Sequence, residues 1–197
     1  MAKIHRGATL APHFRDFLPP WVARQPWYRG SGTPTLSPVG YFRFEDPAGD
    51  VGVETHLVTD GAVLYQVPMT YRGAPLAGAS DALITTAEHS VLGTRWIYDG
   101  EHDPVWRSEL LRLVRTNAVS DPSGKSGVGS AEARGHCYAA TDTTDDVRIE
   151  LMRTVRPGQC PTGPGIAGVV TGTWHPDGPG TAPESGCLAV VRTAARP

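Results

Sequence analysis

The sequence has no long apolar segment. No stretch of the 197 residues approaches the ~18 consecutive apolar residues that a helix needs to cross a bilayer. The amino-terminal residues, MAKIHRGATLAPHF, also lack the uninterrupted apolar core of a signal peptide. We therefore expect a cytoplasmic protein that is not associated with a membrane.

A strong charge of either sign is missing as well. The formal net charge is −2, only Lys3 and Lys125 are lysines, and no long basic run occurs. Because nucleic acids and anionic membranes are bound by clustered positive charge, neither is an expected partner. The length is sufficient to bury the core of one large domain or of two small ones.

Cysteine is scarce and lacks the spacing of a known site. The three cysteines, Cys137, Cys160 and Cys187, are odd in number and contain no CxxC pair. This pattern predicts reduced, partly buried thiols. A metal site built from the cysteines with His136 and His175 would require a fold that gathers four separate loops, so we expect no metal and no other cofactor.

Motifs of common catalytic sites are also absent. The GxSxG pattern of serine hydrolases does not occur. The tripeptide Gly124-Lys125-Ser126 matches the end of a phosphate-binding loop, but Val119 stands where that motif requires its first glycine. The sequence therefore names no catalytic residue.

The first periodic segment predicts a helix near the amino terminus. Leu10, Phe14, Phe17, Leu18 and Trp21 recur at helical spacing. Thr9 is placed to cap this helix and Pro12 to occupy its first turn. Because proline is not tolerated inside a helix, we expect Pro19-Pro20 to break it, with a short turn over 20–25.

An alternating pattern follows and predicts an antiparallel sheet. Residues 41–45, 51–57 and 63–71 alternate apolar with polar side chains, and residues 94–98 have β-forming side chains at most positions. The turn signals between them are DPAGD at 46–50 and Asp60-Gly61, since aspartate and glycine suit tight turns. Asp103-Pro104 then predicts a helix start, with Asp103 as N-cap, and an apolar stripe continues through Val114.

The second half predicts a separate β unit. Residues 118–133 are rich in Ser, Gly and Ala and predict a flexible linker. Four β-rich segments follow at 136–140, 147–155, 166–174 and 187–193. The expected fold is α+β: a helix-flanked antiparallel domain over 1–117, the linker, and a small antiparallel β unit over 134–197.

Residues 88–106, EHSVLGTRWIYDGEHDPVW, contain several groups capable of acid–base or metal chemistry. These are Glu88, His89, Asp99, His102 and Asp103. His89 and His102 are separated by a whole predicted strand, and no HxxxH pair brings two ligands to one helical face. We expect these side chains to form caps and turns.

Aromatic and arginine residues cluster in QPWYRG, TYRGAPL and RWIYDG. Such residues are enriched where sugars, flat ligands or protein partners bind, and they also fill small cores. The core interpretation is favoured, and a ligand or partner surface is the alternative. That surface would comprise Trp27, Tyr28, Arg29, Tyr71, Arg72 and Trp96.

Several of these segments together resemble the N-terminal cap domain of actinobacterial maltokinases. They are LPPWVARQPW, QPWYRG, VPMTYRGAPL and EHSVLGTRWIYDGEHDPV, and the resemblance covers residues 1–117. It is greatest to stand-alone relatives of that cap. It implies a cystatin- or monellin-like curved antiparallel sheet packed on helices, although Pro19-Pro20 departs from the uninterrupted helix of that family.

The second unit resembles part of a kinase amino lobe. IELMRTVRPG at 149–158 is similar to the strand that carries the ATP-binding lysine, and Glu150 stands at the lysine position. This charge reversal argues against ATP binding. The resemblance implies a degenerate remnant of a kinase lobe, without catalytic or magnesium-binding aspartates.

The expected function is therefore non-catalytic. We expect a regulatory or partner-binding protein with a protein partner, linked by kinship to maltose, trehalose or glycogen metabolism. The alternative is a binding protein or enzyme that holds a sugar-like small molecule on the concave face of the curved sheet. A homo-oligomer formed through edge strands of the second unit is a further possibility.

Overall fold

The computed structural model describes residues 7–123, 128–139 and 147–193. Within these ranges the chain folds into two helices and two antiparallel sheets. The larger sheet is strongly curled into a half-barrel, and the smaller sheet has four strands. The predicted α+β class, with a curved antiparallel sheet followed by a small β unit, is confirmed.

The larger sheet is built mainly from the first half of the chain. Its strand order is β1-β5-β6-β4-β3-β2-β7, with β10 paired to part of β4. The strands are β1 (Leu10–Ala11), β2 (Ser37–Glu45), β3 (Gly52–Thr59), β4 (Leu64–Arg72), β5 (Leu83–His89), β6 (Gly93–Asp99), β7 (Asp121–Pro122) and β10 (Thr154–Val155). The four predicted strands correspond to β2, β3, β4 and β6, whereas β1, β5 and β7 were not predicted.

Two aspartates form the turns between β2, β3 and β4, as the sequence indicates. The Asp46 carboxylate accepts hydrogen bonds from the N–H groups of Ala48, Asp50 and Val51 at 2.9–3.1 Å. The Asp60 carboxylate binds the next turn in the same way. These bonds satisfy backbone donors that a tight turn leaves outside the ladder.

The first helix, α1 (Phe14–Val22), differs from its prediction. His13 is its N-cap, and Leu10–Ala11 form β1 beside β5, so Thr9 and Pro12 do not begin the helix. The expected break at Pro19-Pro20 is wrong, because both prolines lie inside α1. Their rings deprive the carbonyls of the exposed residues Arg15 and Asp16 of helical partners, and carbonyls at an exposed site can bind water instead.

The second helix, α2 (Pro104–Arg115), begins where the sequence indicates. The Asp103 carboxylate accepts the N–H of Val105 at 2.9 Å, and Pro104 occupies the first helical position. The apolar stripe of α2, which includes Trp106, Leu110 and Leu113, is fully buried. The prediction of a capped amphipathic helix here is confirmed.

The smaller sheet has the strand order β8-β11-β12-β9. Its members are β8 (Glu132–Cys137), β9 (Val147–Leu151), β11 (Ile166–Trp174) and β12 (Glu184–Thr193). Between β9 and β11 the chain leaves this sheet, and β10 pairs with Leu64 and Tyr65 of β4. The second half of the chain thus contributes a strand to the larger sheet.

Both faces of the larger sheet are covered. On the face that we call the α1 face, α1 packs on a cluster that includes Tyr65, Val67 and Met69 of β4. On the opposite face, the α2 face, one cluster joins residues of β2 and β3 to α2 and to the smaller sheet. The predicted division into domains at 117 and 134 stays a prediction, and a single core crosses it.

Part of the segment predicted as a flexible linker is held by hydrogen bonds. Asp121–Pro122 pairs with β2, and Ser120 exchanges hydrogen bonds with Ala133 at 2.8 and 2.9 Å. The Ser123 hydroxyl donates to Glu54 at 2.5 Å. The composition of 118–133 could not predict this pairing, because Ser, Gly and Ala occur in ordered segments as well as in flexible linkers. The tripeptide Gly124-Lys125-Ser126, which matches the end of a phosphate-binding loop, lies outside the described residues.

The prediction of reduced cysteines is wrong for two of the three. Cys160, in the loop before β11, forms a disulfide with Cys187 of β12. Cys137 is a free thiol. The pair is 27 residues apart in sequence, and only the folding of the loop against β12 brings the two sulfurs together. An odd cysteine count was compatible with this outcome, but no spacing pattern indicated it.

Candidate functional site

The polar residues of 88–106 lie at two separate ends of the β5–β6 hairpin. Glu88 accepts a hydrogen bond from the Thr94 hydroxyl at 2.5 Å, and His89 Nδ1 accepts from the N–H groups of Val91 and Leu92. His102 lies beyond the other end of β6, at a distance of roughly 20 Å along the strand. Glu88, His89 and His102 therefore do not converge on one site.

Asp103 binds an arginine besides capping α2. Arg72 on β4 donates two hydrogen bonds to this carboxylate, at 2.6 Å from Nε and 2.7 Å from Nη2. Burial raises the pKa of Asp103, but the hydrogen bonds from Arg72 and from Val105 N–H outweigh it and leave the pKa below its ordinary value. Asp103 is thus a buried anion that joins α2 to β4.

Asp99 and Glu101 bind an arginine of the second half of the chain. Arg153 Nη2 lies 2.5 Å from Asp99 Oδ2 and 2.7 Å from Glu101 Oε2. The guanidinium also stacks over the ring of Trp27, with its central carbon 5.4 Å from the ring centroid. The Arg153 side chain is only 9% exposed and lies between β10 and the end of β6. It is a connection between the two halves that sequence reasoning missed, and a lone arginine in IELMRTV gave no signal for it.

The six residues of the predicted ligand or partner surface are not gathered in one place. Arg72 and Trp96 are directly opposed across β4 and β6, so their side chains share one face. The neighbouring Tyr71 points to the other face and packs against the α1 cluster. Arg72 is moreover bound to Asp103. The structure therefore separates Arg72 and Trp96 from Tyr71.

The other three residues of that set follow α1. Trp27 and Tyr28 are half-buried and pack on Tyr65, with ring centroids 5.8 and 5.9 Å from it, whereas Arg29 is exposed. Burial, together with the hydrogen bond that Tyr65 donates to Asp60, raises the pKa of Tyr65 to about 12. These aromatics seal the edge of the α1 face, and Arg29 remains available to solvent. Whether the set binds a partner stays a prediction.

The space on either face of the larger sheet is small. On the α2 face a cavity of about 10 Å³ lies among Phe42, Gln66, Trp106, Leu110 and Leu188. A second cavity of about 10 Å³ lies beside α1, between Leu18 and Val58. A cavity of this size has room for about one water molecule, whereas a small-molecule site has roughly 300–1,000 Å³.

The remaining titratable candidates have local partners. His136 Nε2 is hydrogen-bonded to the Thr171 hydroxyl, and His175 Nδ1 to the Thr181 carbonyl, at 2.9 and 2.8 Å. Among residues 7–123, 128–139 and 147–193, no group of three His, Cys, Asp or Glu side chains has the arrangement of a metal site. Glu150 is paired with Arg192 at 2.8 Å.

No helix in the described part of the chain is long and apolar enough to cross a bilayer.

Comparison with curated proteins finds no match. The family of the maltokinase N-terminal cap domain matches residues 21–103. This range extends from the last residues of α1 through β6 to the N-cap of α2, and it contains the Asp46 and Asp60 turns and the ion pair between Arg72 and Asp103. The resemblance of the second unit to a kinase lobe stays a prediction. Residues 21–103 of the chain are therefore related to the maltokinase N-terminal cap domain.

Proposed function

We propose that the chain is a non-catalytic protein that binds or regulates a protein partner in the cytoplasm. Its kinship with the maltokinase cap supports a link to maltose, trehalose or glycogen metabolism. The matched family is named as a cap domain of a kinase, and a relative of such a cap is suited to contact another protein or domain. The partner would meet the outer surface of the fold.

The observation that carries this proposal is the covered α2 face of the larger sheet. Trp106 and Leu110 of α2 and Leu188 of β12 pack against Phe42 and Phe44 in one cluster. The cavity left among them is only about 10 Å³. Since a substrate cannot enter such a space, recognition by this protein would use exposed side chains.

The roles of the acidic residues support the same interpretation. Asp99 and Asp103 are both buried, and each is hydrogen-bonded to an arginine. A general acid or base needs a pKa near the working pH and access to substrate. The pKa of Asp103 is instead lowered, and its oxygens are bound to Arg72 and Val105. These carboxylates stabilise the fold.

The alternative function, a sugar-like ligand held on the concave face of the sheet, is less well supported. Tyr65 and Met69 lie on the α1 face but are fully buried beneath α1 and Trp27. The α2 face is covered by the smaller sheet. Binding there would require one of these layers to move.

A phosphorylation assay tests the non-catalytic proposal. The purified chain is incubated with maltose, ATP and Mg²⁺, and a maltokinase serves as positive control. We expect no maltose phosphate above the level without protein. Phosphorylation that is abolished by a point mutation within the chain would overturn the proposal. Calorimetric titration with maltose, which we expect to show no heat of binding, tests the ligand-binding alternative.

Affinity capture with a matched pair of variants tests the partner. Arg29→Glu reverses the exposed charge of a residue in the predicted surface, and Arg134→Glu makes the same change on the exposed face of β8. We expect cross-linked capture from the source cells to enrich one protein with the wild type and with Arg134→Glu, and to lose it with Arg29→Glu. Enrichment of no protein, or equal loss with both variants, would contradict this surface.

A further inference from the structure

The outer edge of β9 has backbone groups available for pairing. Among the described residues, β9 is the last strand of the smaller sheet. Met152, one residue past β9, donates its N–H to Leu188 of β12 at 2.9 Å. Because hydrogen-bonding residues alternate along an antiparallel ladder, Arg148 and Glu150 also bond to β12. The N–H and C=O groups of Val147, Ile149 and Leu151 therefore point away from β12.

The side chains of β9 follow a self-complementary order. The strand reads VRIEL, with apolar residues at 147, 149 and 151 and opposite charges at 148 and 150. Ile149 and Leu151 pack against the shared core, so Arg148 and Glu150 lie on the other face. If a second copy of β9 is placed antiparallel to the first, with the two Ile149 residues opposite each other, each Arg148 faces a Glu150.

Among the residues that the structure describes, the charges of β9 are incompletely compensated. Arg148 is exposed and directly opposes Arg192 on β12, which places two positive charges side by side. Glu150 pairs with Arg192 at 2.8 Å. Arg148 forms no ion pair with any acidic side chain in the described residues. A further carboxylate beside Arg148 would relieve this like-charge contact.

We propose that β9 pairs with β9 of a second copy of this chain, antiparallel, about a two-fold axis at Ile149. In this register Arg148 lies opposite Glu150 of the partner subunit, and Glu150 lies opposite the partner subunit's Arg148. Val147 opposes Leu151 of the partner subunit. The two smaller sheets then form one continuous eight-stranded sheet across the dimer.

The order of charges also explains why the partner would be this same strand. Charged side chains on an edge strand discourage pairing with arbitrary strands, because most registers bring like charges together. Only a strand with the reverse order of charges is matched, and in the antiparallel direction β9 itself has that order. The Val147 carbonyl accepts a hydrogen bond from Arg107 Nη2 at 2.6 Å, and its second lone pair can still accept one from the partner.

Such a dimer is expected to be reversible. A pairing of five residues per chain is small beside the ~1,600 Å² that typical stable interfaces bury. We therefore expect monomer and dimer to exchange, with the dimer fraction rising with concentration. This inference does not depend on the proposed regulatory function, which concerns a different protein.

Sedimentation velocity of the full chain over a wide concentration range tests the proposal. We expect the average mass to rise from 21.0 kDa toward twice that value. Arg148→Glu places a second carboxylate opposite Glu150 of the partner subunit, and Glu150→Arg places two guanidinium groups together. Each variant alone should weaken the dimer at least about tenfold, because like charges then oppose each other twice. Arg134→Glu on β8 should leave it unchanged.

Mixing the two charge variants gives the sharpest readout. In a heterodimer of Arg148→Glu with Glu150→Arg, every charge again faces its opposite, so we expect the dimer to return. Far-ultraviolet circular dichroism checks that each variant is folded. The proposal is overturned by a wild type that stays monomeric at all concentrations, by a dimer that Arg148→Glu does not weaken, or by a mixture that stays monomeric.

Discussion

Asp103 shows how a residue in an apparently catalytic stretch stabilises the fold. It is 1% exposed, caps α2 and accepts two hydrogen bonds from Arg72. A buried carboxylate remains charged only when such partners replace the water that it has lost. Its position among other acidic and histidine residues is compatible with acid–base chemistry. Its hydrogen bonds to Arg72 and to the Val105 N–H instead make it a buried anion that stabilises the fold.

Two substitutions at this position separate the cap from the ion pair. Asp103→Asn keeps an N-cap oxygen but removes the charge, and we expect it to lower the free energy of unfolding by about 2–4 kcal/mol, because Arg72 loses the anionic partner of its ion pair. Asp103→Ala should cost about 1 kcal/mol more, since the cap is lost too. Urea denaturation measures both. Glu132→Gln, which breaks an exposed pair with Arg134, is the control and should change stability by less than about 1 kcal/mol.

The lowered pKa of Asp103 predicts a pH dependence. A carboxyl whose pKa is lower in the folded than in the unfolded chain stabilises the fold above its unfolded value of 3.8, and this stabilisation is lost as pH falls through the folded value. The difference in unfolding free energy between wild type and Asp103→Asn should be constant from about pH 6 to 8 and narrow below about pH 4. A difference that widens in acid would contradict the assignment.

Arg153 connects the two halves of the chain through its ion pairs with Asp99 and Glu101. Arg153→Ala leaves Asp99 buried without its arginine and removes the stacking on Trp27. We expect a loss of about 3–5 kcal/mol in the free energy of unfolding. Arg153→Lys keeps the positive charge but not the planar guanidinium group, so it should recover only part of the lost free energy of unfolding. Arg156→Ala, three residues along at an exposed site, should lie within about 0.5 kcal/mol of wild type.

Among the elements, α2 and the Asp46 and Asp60 turns could be predicted because their signals are local. Each consists of a side chain that binds the backbone within five residues. The helix α1 could not, because its two prolines argue for a break, whereas the burial of Phe17, Leu18 and Trp21 against β4 outweighs the local cost. β7 was missed because a two-residue strand has no period. β10 lies at the end of the predicted segment 147–155, but its place in the larger sheet was missed because only tertiary pairing with β4 defines it.

The disulfide belongs to the element scale, because it ties the loop before β11 to β12. Thiol titration of the unreduced, denatured chain should find one reactive group, Cys137, and titration after reduction should find three. Cys137→Ser should leave none before reduction. Three reactive thiols in the unreduced chain would contradict the disulfide. Since disulfides are rare in the cytoplasm, the same titration on protein taken directly from cells tests the proposed location.

At the scale of the whole molecule, the second half of the chain completes the first. The cluster on the α2 face contains Trp106 and Leu113 of α2 together with Trp174 and Leu188 of the smaller sheet. Gln66 of β4 donates to the Leu188 carbonyl at 3.0 Å. A composition-based boundary could not show this, because a core that crosses a linker leaves no trace in local sequence. The ion pairs of Asp99 and Glu101 could not be predicted from the sequence either, because their partner, Arg153, lies in the second half of the chain.

A fragment of residues 1–117 should therefore fold poorly. Without the smaller sheet, the apolar stripe of α2 and the α2 face of β2 and β3 would be exposed to water, at a cost of roughly 25 cal/mol per Å² of apolar surface. We expect the fragment to unfold without a cooperative thermal transition, although the family match lies entirely within it. A sharp transition near that of the full chain would show that the first unit is an independent domain.

The most direct test of the central claim, that the smaller sheet fills the α2 face of the larger one, is urea denaturation followed by pulsed hydrogen exchange and mass spectrometry. The measurement compares the unfolding midpoints of peptides from β3, from α2 and from β11. A shared core predicts one common midpoint, which Arg153→Ala shifts equally for all three. Protection of β3 and α2 that persists after β11 has exchanged would contradict the claim, because the α2 face would then be stable without its cover.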